Sequence, residues 1–498
     1  MGTIQIENVN FKYDQMVDNL FDSLNLKIDE SWKLGLIGRN GRGKTTLMKM
    51  LLGQLDYQGQ IVSNLNFYYY PQTVANPNVP TVEVVQNLTH LEEYDLWKVE
   101  VELEKLQVDP DILQQEFSTL SPGERTKVLL AVLFLDDYGF QLIDEPTNHL
   151  DIEGRKIVSD YLKSKKGFIV ISHDKTFLNP VIDHVISINR ANVDVYKGNF
   201  DTWESAKDRQ DNHELEQKTQ LKKDISRLHA TAVKRENWSN SAESQKNKNR
   251  YHESVNLDKG FISHKSAKMM KKAKTAEKRV DSAINEKQSL LKNLEIEEPI
   301  TLNYVEVSHP DVLVKVENLT LKHESIVTPT VDFKVKRNQV VTLVGQNGIG
   351  KTTIFRQILG VSQPFTQTGE IHLAHNLKIS YLKQDNELVG KIRQLAMAKK
   401  IEPEMVYSNL RKLGFERYLF EQPVEQMSQG QRRKVALAMS LSEEANLYFW
   451  DEPLNYLDVI TRQQIITAIK KQHPTMLLID HDQDLIDEVS TRKIELHH

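Results

Sequence analysis

The sequence carries one set of short motifs twice, at a nearly constant spacing. The glycine-rich run GRNGRGKTT at Gly38–Thr46 returns as GQNGIGKTT at Gly345–Thr353, 307 residues later. The Ser-x-Gly runs that begin at Ser121 and Ser428 are separated by the same 307 residues. Two acidic pairs and two histidines repeat this spacing to within one residue. Shared order and spacing over about 130 residues indicate two homologous domains, so the chain must fold as two copies of one architecture.

Each copy alternates short apolar runs with helical stretches. KLGLIG at Lys33–Gly38 and VVTLVG at Val340–Gly345 both end at a glycine-rich run, and Thr45–Leu52 then has helical character. Continuous apolar runs of this length are typical of strands buried on both faces of a parallel sheet. We therefore predict an α/β fold with mostly parallel sheets, in two domains that span residues 1–202 and 299–498.

The segment 203–298 between the two predicted domains has a different composition. It contains one glycine, Gly260, and no proline. Its apolar positions recur at steps of three and four, interrupted at one position by Lys287, which is the spacing of a coiled coil. These positions are Leu221, Ile225, Leu228 and Ala232, and then Ala273, Ala276, Val280, Ala283, Leu290 and Leu294. We predict a linker of two long antiparallel helices joined by a polar tip at about 239–264.

Charge is distributed unevenly along the chain. Residues Leu221 to Val280 hold 16 Lys/Arg and 6 Asp/Glu, a net charge of +10, although the whole chain has a net charge of −5. Such asymmetry predicts a polyanionic partner for this one segment. The alternative is a spacer that only connects the two domains.

Composition excludes several classes of protein. The chain has no cysteine, which excludes structural disulfides, thiolate zinc sites, iron–sulfur clusters and a catalytic thiol. The longest apolar run, Val128 to Leu135, is far shorter than the ~20 residues that span a bilayer, so we expect no membrane partner. The N-terminal sequence lacks the basic and apolar regions of a signal peptide, and we expect a cytoplasmic protein.

Both glycine-rich runs match the pattern G-x-x-x-x-G-K-[ST] of a phosphate-binding loop. Glycines in such a loop let backbone N–H groups surround phosphate oxygens. Lys44 and Lys351 are expected to reach the β- and γ-phosphates of ATP, and Thr45 and Thr352 to coordinate Mg²⁺. The other residues expected in these loops are Gly38, Asn40, Gly41, Gly43 and Thr46, with Gly345, Asn347, Gly348, Gly350 and Thr353 in the second copy.

Acidic pairs follow later strands in both copies, at Asp144-Glu145 and Asp451-Glu452. The aspartates are expected to hold Mg²⁺, and each glutamate to act as general base toward the attacking water. A histidine follows the next strand in each copy and is predicted to contact the γ-phosphate, although a buried structural role is the alternative. A glutamine in each copy is predicted to lie where it could contact the metal and the attacking water. These residues are His173 and His481, and Gln72 and Gln384.

The order of these motifs resembles the ATP-binding cassette superfamily. Ser121-Pro122-Gly123-Glu124 and Ser428-Gln429-Gly430-Gln431 are similar to its signature motif, and Tyr13 stands where the family stacks an aromatic ring on adenine. The resemblance implies that the signature of one cassette completes the ATP site of the other. One site would then add Ser428, Gly430 and Gln431 to the loop of Lys44, and the other would add Ser121, Gly123 and Glu124 to the loop of Lys351.

Three positions depart from that family pattern. Pro122 and Gln429 replace the second glycine of the signature, and His323 stands where the second cassette would carry its adenine-stacking ring. Proline has no backbone N–H, so one phosphate contact is expected to be missing in the site that contains Ser121. The two ATP sites are therefore expected to turn over unequally.

Two cassettes without a membrane span, joined by a long charged helical linker, resemble the ABC-F subgroup of ribosome-bound ATPases. KLGLIGRNGRGKTTL, LRKLGFER and YFWDEPLNYLDV are similar to its Lsa- and Vga-type antibiotic-resistance members. The resemblance implies two tandem P-loop ATPase domains in a monomer whose two ATP sites form between its own halves. It also implies binding in the E site of the 70S ribosome, with contacts to 23S rRNA and P-site tRNA.

The same resemblance implies that the linker tip reaches toward the peptidyl-transferase centre. Binding there would protect the ribosome from lincosamide, streptogramin A and pleuromutilin antibiotics. The residues predicted to contact RNA or to rearrange the drug site are Trp238, Lys246, Lys248, Arg250, Tyr251, Leu257 and Phe261. A solvated or packed face of the coiled coil is the alternative for these residues.

Other functions remain compatible with the same ATPase motifs. A housekeeping ABC-F translation factor would use identical chemistry, and only the tip would differ. The ATPase component of a membrane exporter would need membrane-spanning partners and would have no use for a basic linker. A DNA-repair ATPase is disfavoured because the zinc-dependent kind needs cysteines, and we expect no DNA partner.

Overall fold

The computed structural model describes residues 2–14, 19–89, 91–136, 139–148, 150–189, 192–210, 212–213, 216, 220, 223, 299–323, 326–361, 365–384, 388–415 and 417–497. Contacts divide the chain into a unit of Met1–Asp201 with Glu297–His498 and a unit of Thr202–Ile296. In the second unit, residues 202–210 are helical. The predicted coiled coil lies almost entirely outside the described residues, as do all seven predicted tip residues. Within the described ranges, no helix is both long and apolar enough to cross a membrane.

The first half of the larger unit is an α/β domain with two sheets. Its strands are β1 (Thr3–Phe11), β2 (Phe21–Asp29), β3 (Lys33–Gly38), β4 (Gln58–Val62), β5 (Asn66–Tyr70), β6 (Gly139–Asp144), β7 (Phe168–Ile171), β8 (His184–Ile188) and β9 (Val193–Lys197). Its helices are α1 (Lys44–Leu51), α2 (Thr81–Thr89), α3 (Trp97–Lys105), α4 (Pro122–Leu133), α5 (Ile152–Ser164) and α6 (Lys175–Leu178).

The larger sheet of this half has the strand order β5-β6-β7-β3-β8-β9. All its pairings are parallel except that of β8 with β9. The strands β3 and β7 are buried along nearly their whole length, because helices cover a parallel sheet on both faces. In such a sheet ligands bind beyond the carboxyl ends of the strands, which is where β3 leads into the glycine-rich loop and β6 ends at Asp144.

A smaller antiparallel sheet, β2-β1-β4, completes the first half. Its strand β2 alternates buried and exposed side chains along much of its length, because one face is in the core and the other is solvated. Leu47 and Met48 of α1 pack in one core cluster with Ile4 of β1, Phe21 of β2 and Leu34 of β3. The phosphate-loop helix is thus fixed between the two sheets.

The second half repeats this architecture. Its strands are β10 (Val312–His323), β11 (Ile326–Val327), β12 (Val331–Lys336), β13 (Val340–Val344), β14 (Thr366–Leu373), β15 (Ile379–Leu382), β16 (Leu447–Asp451), β17 (Met476–Ile479) and β18 (Arg492–Glu495). Its helices are α7 (Lys351–Ile358), α8 (Ile392–Ala398), α9 (Pro403–Lys412), α10 (Gln429–Ser442), α11 (Val459–Gln472) and α12 (Gln483–Val489). The parallel sheet has the order β15-β16-β17-β13-β18. A smaller antiparallel sheet has the order β11-β10-β12, and β14 also pairs with β10. The prediction of two α/β domains with mostly parallel sheets is confirmed, and the antiparallel sheets were not predicted.

The two halves agree in small irregularities as well. The long first strand of each half shifts register in the same place, between Glu7 and Asn10 and between Glu317 and Thr320. A left-handed asparagine lies inside each shift, at Asn8 (φ 47°) and Asn318 (φ 48°). Tyr13 and His323 each lie five residues after the left-handed asparagine of their half, so the two positions correspond, as predicted from the sequence.

Candidate active sites at the junction of the two halves

Each glycine-rich loop turns sharply between a strand and a helix. The residue before the helix is a left-handed glycine in both halves, Gly43 (φ 95°) and Gly350 (φ 102°). A Cβ on Gly43 would lie 2.8 Å from the Phe21 ring, and one on Gly350 would lie 2.6 Å from the Thr328 methyl group. Only glycine fits both the angle and the space. These glycines leave the first-turn N–H groups of α1 and α7 directed at the loop, as a phosphate site requires.

The loop lysines are buried against their own loops. Lys44 Nζ donates to the carbonyl of Gly38 at 2.6 Å, and Lys351 Nζ donates to the carbonyl of Gly345 at 2.8 Å. Burial lowers the pKa of both lysines, and neighbouring carboxylates oppose that effect. A buried ammonium group held by neutral carbonyls is suited to bind a phosphate oxygen, because the added negative charge stabilises it.

The described residues fit a magnesium ion in both halves. Thr45 Oγ1 donates to Asp144 Oδ2 at 3.0 Å, and Thr352 Oγ1 donates to Asp451 Oδ2 at 2.8 Å. The second carboxylate oxygen of Asp451 is buried and makes no hydrogen bond within the described part of the chain. Burial raises the pKa of Asp451 to about 6, and a divalent cation would reverse that shift. Hydroxyl and carboxylate oxygens are ligands that Mg²⁺ prefers, and the ion would neutralise phosphate charge there.

A glutamate and a histidine face each other in each half. Glu145 Oε1 lies 3.1 Å from His173 Nε2, and Glu452 Oε1 lies 3.9 Å from His481 Nε2. Burial, together with the charge of Asp144, raises the pKa of Glu145 to about 8. Burial lowers the pKa of His173 well below its ordinary value and that of His481 to about 3, so both rings are neutral near pH 7.

Both glutamates also have left-handed backbones, Glu145 at φ 55° and Glu452 at φ 49°. This conformation is uncommon outside glycine and tends to be retained at functional sites. The predicted glutamines differ between the halves. Gln384 Nε2 donates to Glu452 Oε2 at 3.0 Å, whereas Gln72 Nε2 donates to the carbonyl of Leu129 at 3.2 Å. The structure therefore brings Gln384 to its glutamate and directs the Gln72 amide elsewhere.

A cavity of about 520 Å³ lies over the first loop, and both halves of the unit line it. Tyr13 stands in its wall with the hydroxyl 3.0 Å from Thr46 Oγ1. The second half contributes the start of α10, where the Ser428 side chain accepts from Gln431 N and the Gln431 side chain accepts from Ser428 N. The predicted residues that line the cavity are Tyr13, Asn40, Gly41, Gly43, Lys44, Thr45, Thr46, Asp144, Glu145 and His173, with Ser428, Gly430 and Gln431 from the second half.

Sequence reasoning missed the residues that join the halves at this cavity. Asp458 accepts a hydrogen bond from the Asn40 backbone N–H at 3.2 Å. It also forms an ion pair with Lys434 Nζ at 3.2 Å. The Asn40 side chain donates to the carbonyl of Tyr456 at 3.0 Å. Burial alone would raise the pKa of Asp458, but Lys434 and Lys44 overcome burial and lower it. The signal was present, because Asp151 and Asp458 both end the repeated acidic motif.

The second site has corresponding contacts. Burial lowers the pKa of Lys351, and the carboxylates of Glu452 and Asp451, together with Asp151 of the first half, oppose that shift. Ser121 and Glu124 form the same reciprocal cap at the start of α4, and Pro122 occupies the first helical position. The His323 ring lies against Phe365, with the ring centroids 5.2 Å apart.

Comparison with known proteins agrees with this geometry. The family model described as "ABC transporter" matches residues 21–148 and residues 329–455, which together make just over half of the chain. The chain belongs to the ATP-binding cassette family. Each match spans a phosphate loop, a signature motif and an acidic pair. As a protein with two such cassettes, it is a nucleotide-binding ATP hydrolase.

The cassette protein has relatives along its whole length. The ribosome protection protein VmlR of Bacillus subtilis is 27% identical, over 97% of this chain and 85% of VmlR. The ATP-binding protein Uup of Buchnera aphidicola is 25% identical, over 99% of this chain and 80% of Uup. These relatives, which match nearly the whole chain, support the predicted resemblance to the ABC-F group of the cassette family.

Solved structures share the fold of the cassette protein. The archaeal ribosome recycling factor aABCE1, solved in complex with the ribosomal stalk protein aP1, superposes with a TM-score of 0.64 and is 22% identical. That match covers 99% of this chain and 87% of aABCE1. An RNase-L inhibitor has a TM-score of 0.63 at 22% identity, covering 99% of this chain and 88% of its own.

Proposed function

We propose that this chain is a ribosome-binding ABC-F ATPase that protects the ribosome from lincosamide, streptogramin A and pleuromutilin antibiotics. The observation that carries the ATP-dependent part is the cavity over Lys44, which is complete only when both halves contribute. The net charge of +10 between residues 221 and 280 supports an RNA partner. Likeness to VmlR over nearly the whole chain supports the ribosome as that partner.

Each proposed ATP site takes its loop from one cassette and its signature from the other. The first site would combine Lys44, Thr45, Asp144, Glu145 and His173 with Ser428, Gly430 and Gln431. The second would combine Lys351, Thr352, Gln384, Asp451, Glu452 and His481 with Ser121, Gly123 and Glu124. Because both sites lie at the junction of the halves, ATP would bind more tightly to the closed state than to the open state. Nucleotide binding would therefore be coupled to closure of the halves.

In each proposed site the side chains have separate tasks. The loop lysine and the first-turn amides would hold the β- and γ-phosphates, and the threonine and aspartate would hold Mg²⁺. Glu145 or Glu452, in its ionised form, would accept a proton from the attacking water, because a general base must be deprotonated and within reach of that proton. The positive charge of Mg²⁺ would favour that form of Glu145 by lowering its raised pKa. His173 and His481, neutral near pH 7, would donate a hydrogen bond to the γ-phosphate.

Gln72 does not line the cavity over Lys44. Its proposed approach to the metal would require the amide to leave the carbonyl of Leu129. Nucleotide binding would supply the free energy for that rearrangement, as it would for closure of the halves.

The closed protein would bind the E site of the 70S ribosome in the cytoplasm. Lysines and arginines of the linker would contact phosphates of 23S rRNA and P-site tRNA, and the tip would reach the peptidyl-transferase centre. Drug release would follow from displacement of tRNA and rRNA at the drug pocket. No transport across a membrane would be involved.

Ribosome cosedimentation tests the ATP-dependent part. The double substitution Glu145→Gln with Glu452→Gln should block hydrolysis and hold the closed form, so the variant should pellet with 70S ribosomes in ATP. A matched control is Glu83→Gln with Glu404→Gln, two exposed helical glutamates outside the sites. The proposal is contradicted if the double variant remains in the supernatant while it binds ATP.

Drug susceptibility separates resistance from a housekeeping role. Expression of the wild-type chain should raise the minimum inhibitory concentration of a lincosamide, a streptogramin A and a pleuromutilin. The concentration for a cell-wall antibiotic should not change. A housekeeping factor would leave all four minimum inhibitory concentrations unchanged. Our proposal predicts equal accumulation of labelled lincosamide in cells with and without the protein. An exporter would instead lower the intracellular concentration of the drug.

A further inference from the structure

Arg155 joins the two halves of the larger unit at a point next to the second ATP site. It lies on α5, with its side chain 14% exposed, and it pairs with Asp174 of its own half at 2.8 Å. The same Nη1 atom donates to the backbone carbonyl of His481, in the other half, at 3.2 Å. Its Nε donates to the carbonyl of Leu150 at 3.1 Å, and this bond fixes the orientation of the guanidinium group.

His481 is buried and makes few other polar contacts in the described part of the chain. Both of its ring nitrogens are buried there without a hydrogen-bond partner. Its backbone N–H donates to Asp480 Oδ1 at 2.7 Å, and its carbonyl accepts from Arg155. The position of the ring beside Glu452 therefore depends on how this short backbone segment is held. Arg155 is the side chain from the opposite half that holds it.

The segments that follow the two histidines also contact each other directly. Thr176 of α6 donates to Asp484 of α12 at 3.1 Å. Asp174 caps α6 through the Phe177 backbone N–H at 2.9 Å while it pairs with Arg155. A displacement of the turn after His173 is thus transmitted to Arg155, and from Arg155 to the backbone of His481.

The second half has the corresponding arginine. Arg462 of α11 lies 307 residues after Arg155 and pairs with Asp482 at 2.6 Å, as Arg155 pairs with Asp174. Its Nε donates to the carbonyl of Leu457 at 3.0 Å. Within the described part of the chain, Arg462 has no hydrogen bond to the opposite half that matches the bond from Arg155 to His481.

We propose that Arg155 is a positioning residue for the ATP site of the opposite cassette. Arg155 holds the backbone of His481 beside Glu452, and its ion pair with Asp174 links that contact to the His173 turn of the first site. The alternative is a brace within one half, in which Arg155 serves only Asp174 and the first site. The proposal rests on the roles proposed above for Glu145 and Glu452.

The two readings predict opposite results when one site is silenced. Glu145→Gln leaves the second site to hydrolyse ATP, and Glu452→Gln leaves the first. Arg155→Met is added to each background, and single-turnover hydrolysis is measured with ATP below the protein concentration. We expect Arg155→Met to slow the Glu145→Gln chain about tenfold, as small misplacements of catalytic groups do. The Glu452→Gln chain should slow no more than about twofold.

Two further variants make the test specific. Asp174→Asn removes the ion pair within the first half but leaves the Arg155 bond to His481 available, so it should slow the Glu145→Gln chain less than Arg155→Met does. Arg155→Lys should restore part of the lost rate. Binding of a fluorescent ATP analogue and the melting temperature identify any variant that has lost its fold.

The outcomes are distinguishable. Equal losses in both backgrounds, or a larger loss from Arg155→Met in the Glu452→Gln chain, overturn the proposal in favour of a brace within one half. Complete loss of hydrolysis from one Glu→Gln substitution also overturns it, because the proposal needs sites that can act separately. If both silenced chains keep the wild-type rate, the proposed glutamate roles fail instead, independently of Arg155.

Discussion

Buried charges in this protein are stable only where specific partners surround them. Glu102 of α3 accepts hydrogen bonds from Tyr161 and Lys165, both at 2.5 Å, and from Lys105 at 2.7 Å. Burial alone would raise the pKa of Glu102, but these three donors outweigh burial and lower it. The network connects α3 to the C-terminal end of α5.

We predict that Glu102→Gln lowers the free energy of unfolding by about 2 kcal/mol near pH 7, because charge-assisted hydrogen bonds are lost. Since the pKa of Glu102 is lower in the folded state, its contribution is complete above its ordinary value of 4.5 and declines as pH falls below it. Urea unfolding of wild type and variant should therefore converge in acid. Lys105→Met, at a half-exposed partner, should cost less than about 0.5 kcal/mol.

Asp458 joins the two halves through the Asn40 backbone N–H and forms a buried ion pair with Lys434. We predict that Asp458→Asn destabilises the protein by about 3–5 kcal/mol, because Lys434 keeps its buried charge without an anion. The double variant Asp458→Asn with Lys434→Met should recover much of that loss in denaturant unfolding, since no buried charge remains. If the double variant is less stable than the single one, the ion pair is not the reason.

At the scale of elements, the two signature helices differ at one backbone donor. Both α4 and α10 begin with the same reciprocal cap, but the first helical residue is Pro122 in α4 and Gln429 in α10. Proline fits this position without strain, because the first N–H of a helix has no partner within the helix. We therefore expect the difference to affect phosphate binding and not the fold.

We predict that Gln429→Pro slows single-turnover hydrolysis at the first site by about tenfold or more, because one donor to the phosphate is removed. Pro122→Gly should accelerate the second site and lower stability slightly, since glycine loses more backbone entropy on folding. The measurement uses the Glu452→Gln and Glu145→Gln backgrounds for the first and second sites. An unchanged rate after Gln429→Pro would mean that this amide does not contact phosphate.

At the scale of the whole molecule, charge is segregated between one basic segment and an otherwise acidic chain. Residues 221–280 carry a net charge of +10, so the rest of the chain carries a net charge of −15. We predict that ribosome binding weakens steeply with salt, because phosphate contacts release counterions. Changing Lys265, Lys268, Lys271 and Lys272 to Gln should reduce the slope of log K against log salt. The exposed control pair Lys400→Gln and Lys471→Gln should leave it unchanged.

Much of the fold was predictable because its signals are local and repeated. A strand, a glycine turn and a helix follow one another within about twenty residues in each loop, and such contiguous patterns report backbone conformation directly. The antiparallel sheets were missed because their long strands, β1 and β10, are interrupted by bulges at Asn8 and Asn318 that break simple alternation. Gln72 and Gln384 follow similar strands, yet only the tertiary contacts of Gln72 show that its amide bonds to Leu129.

The sequence by itself determined that there are two cassettes, where each phosphate loop and acidic pair lies, and that one segment carries most of the positive charge. Only the tertiary structure decided that Asp458 reaches Asn40 and that Arg155 reaches the backbone of His481. The physical reason is that a motif describes neighbours along the chain, which constrain one another through the backbone. A contact between two folded halves depends on how their surfaces pack, and no short pattern of residues encodes that.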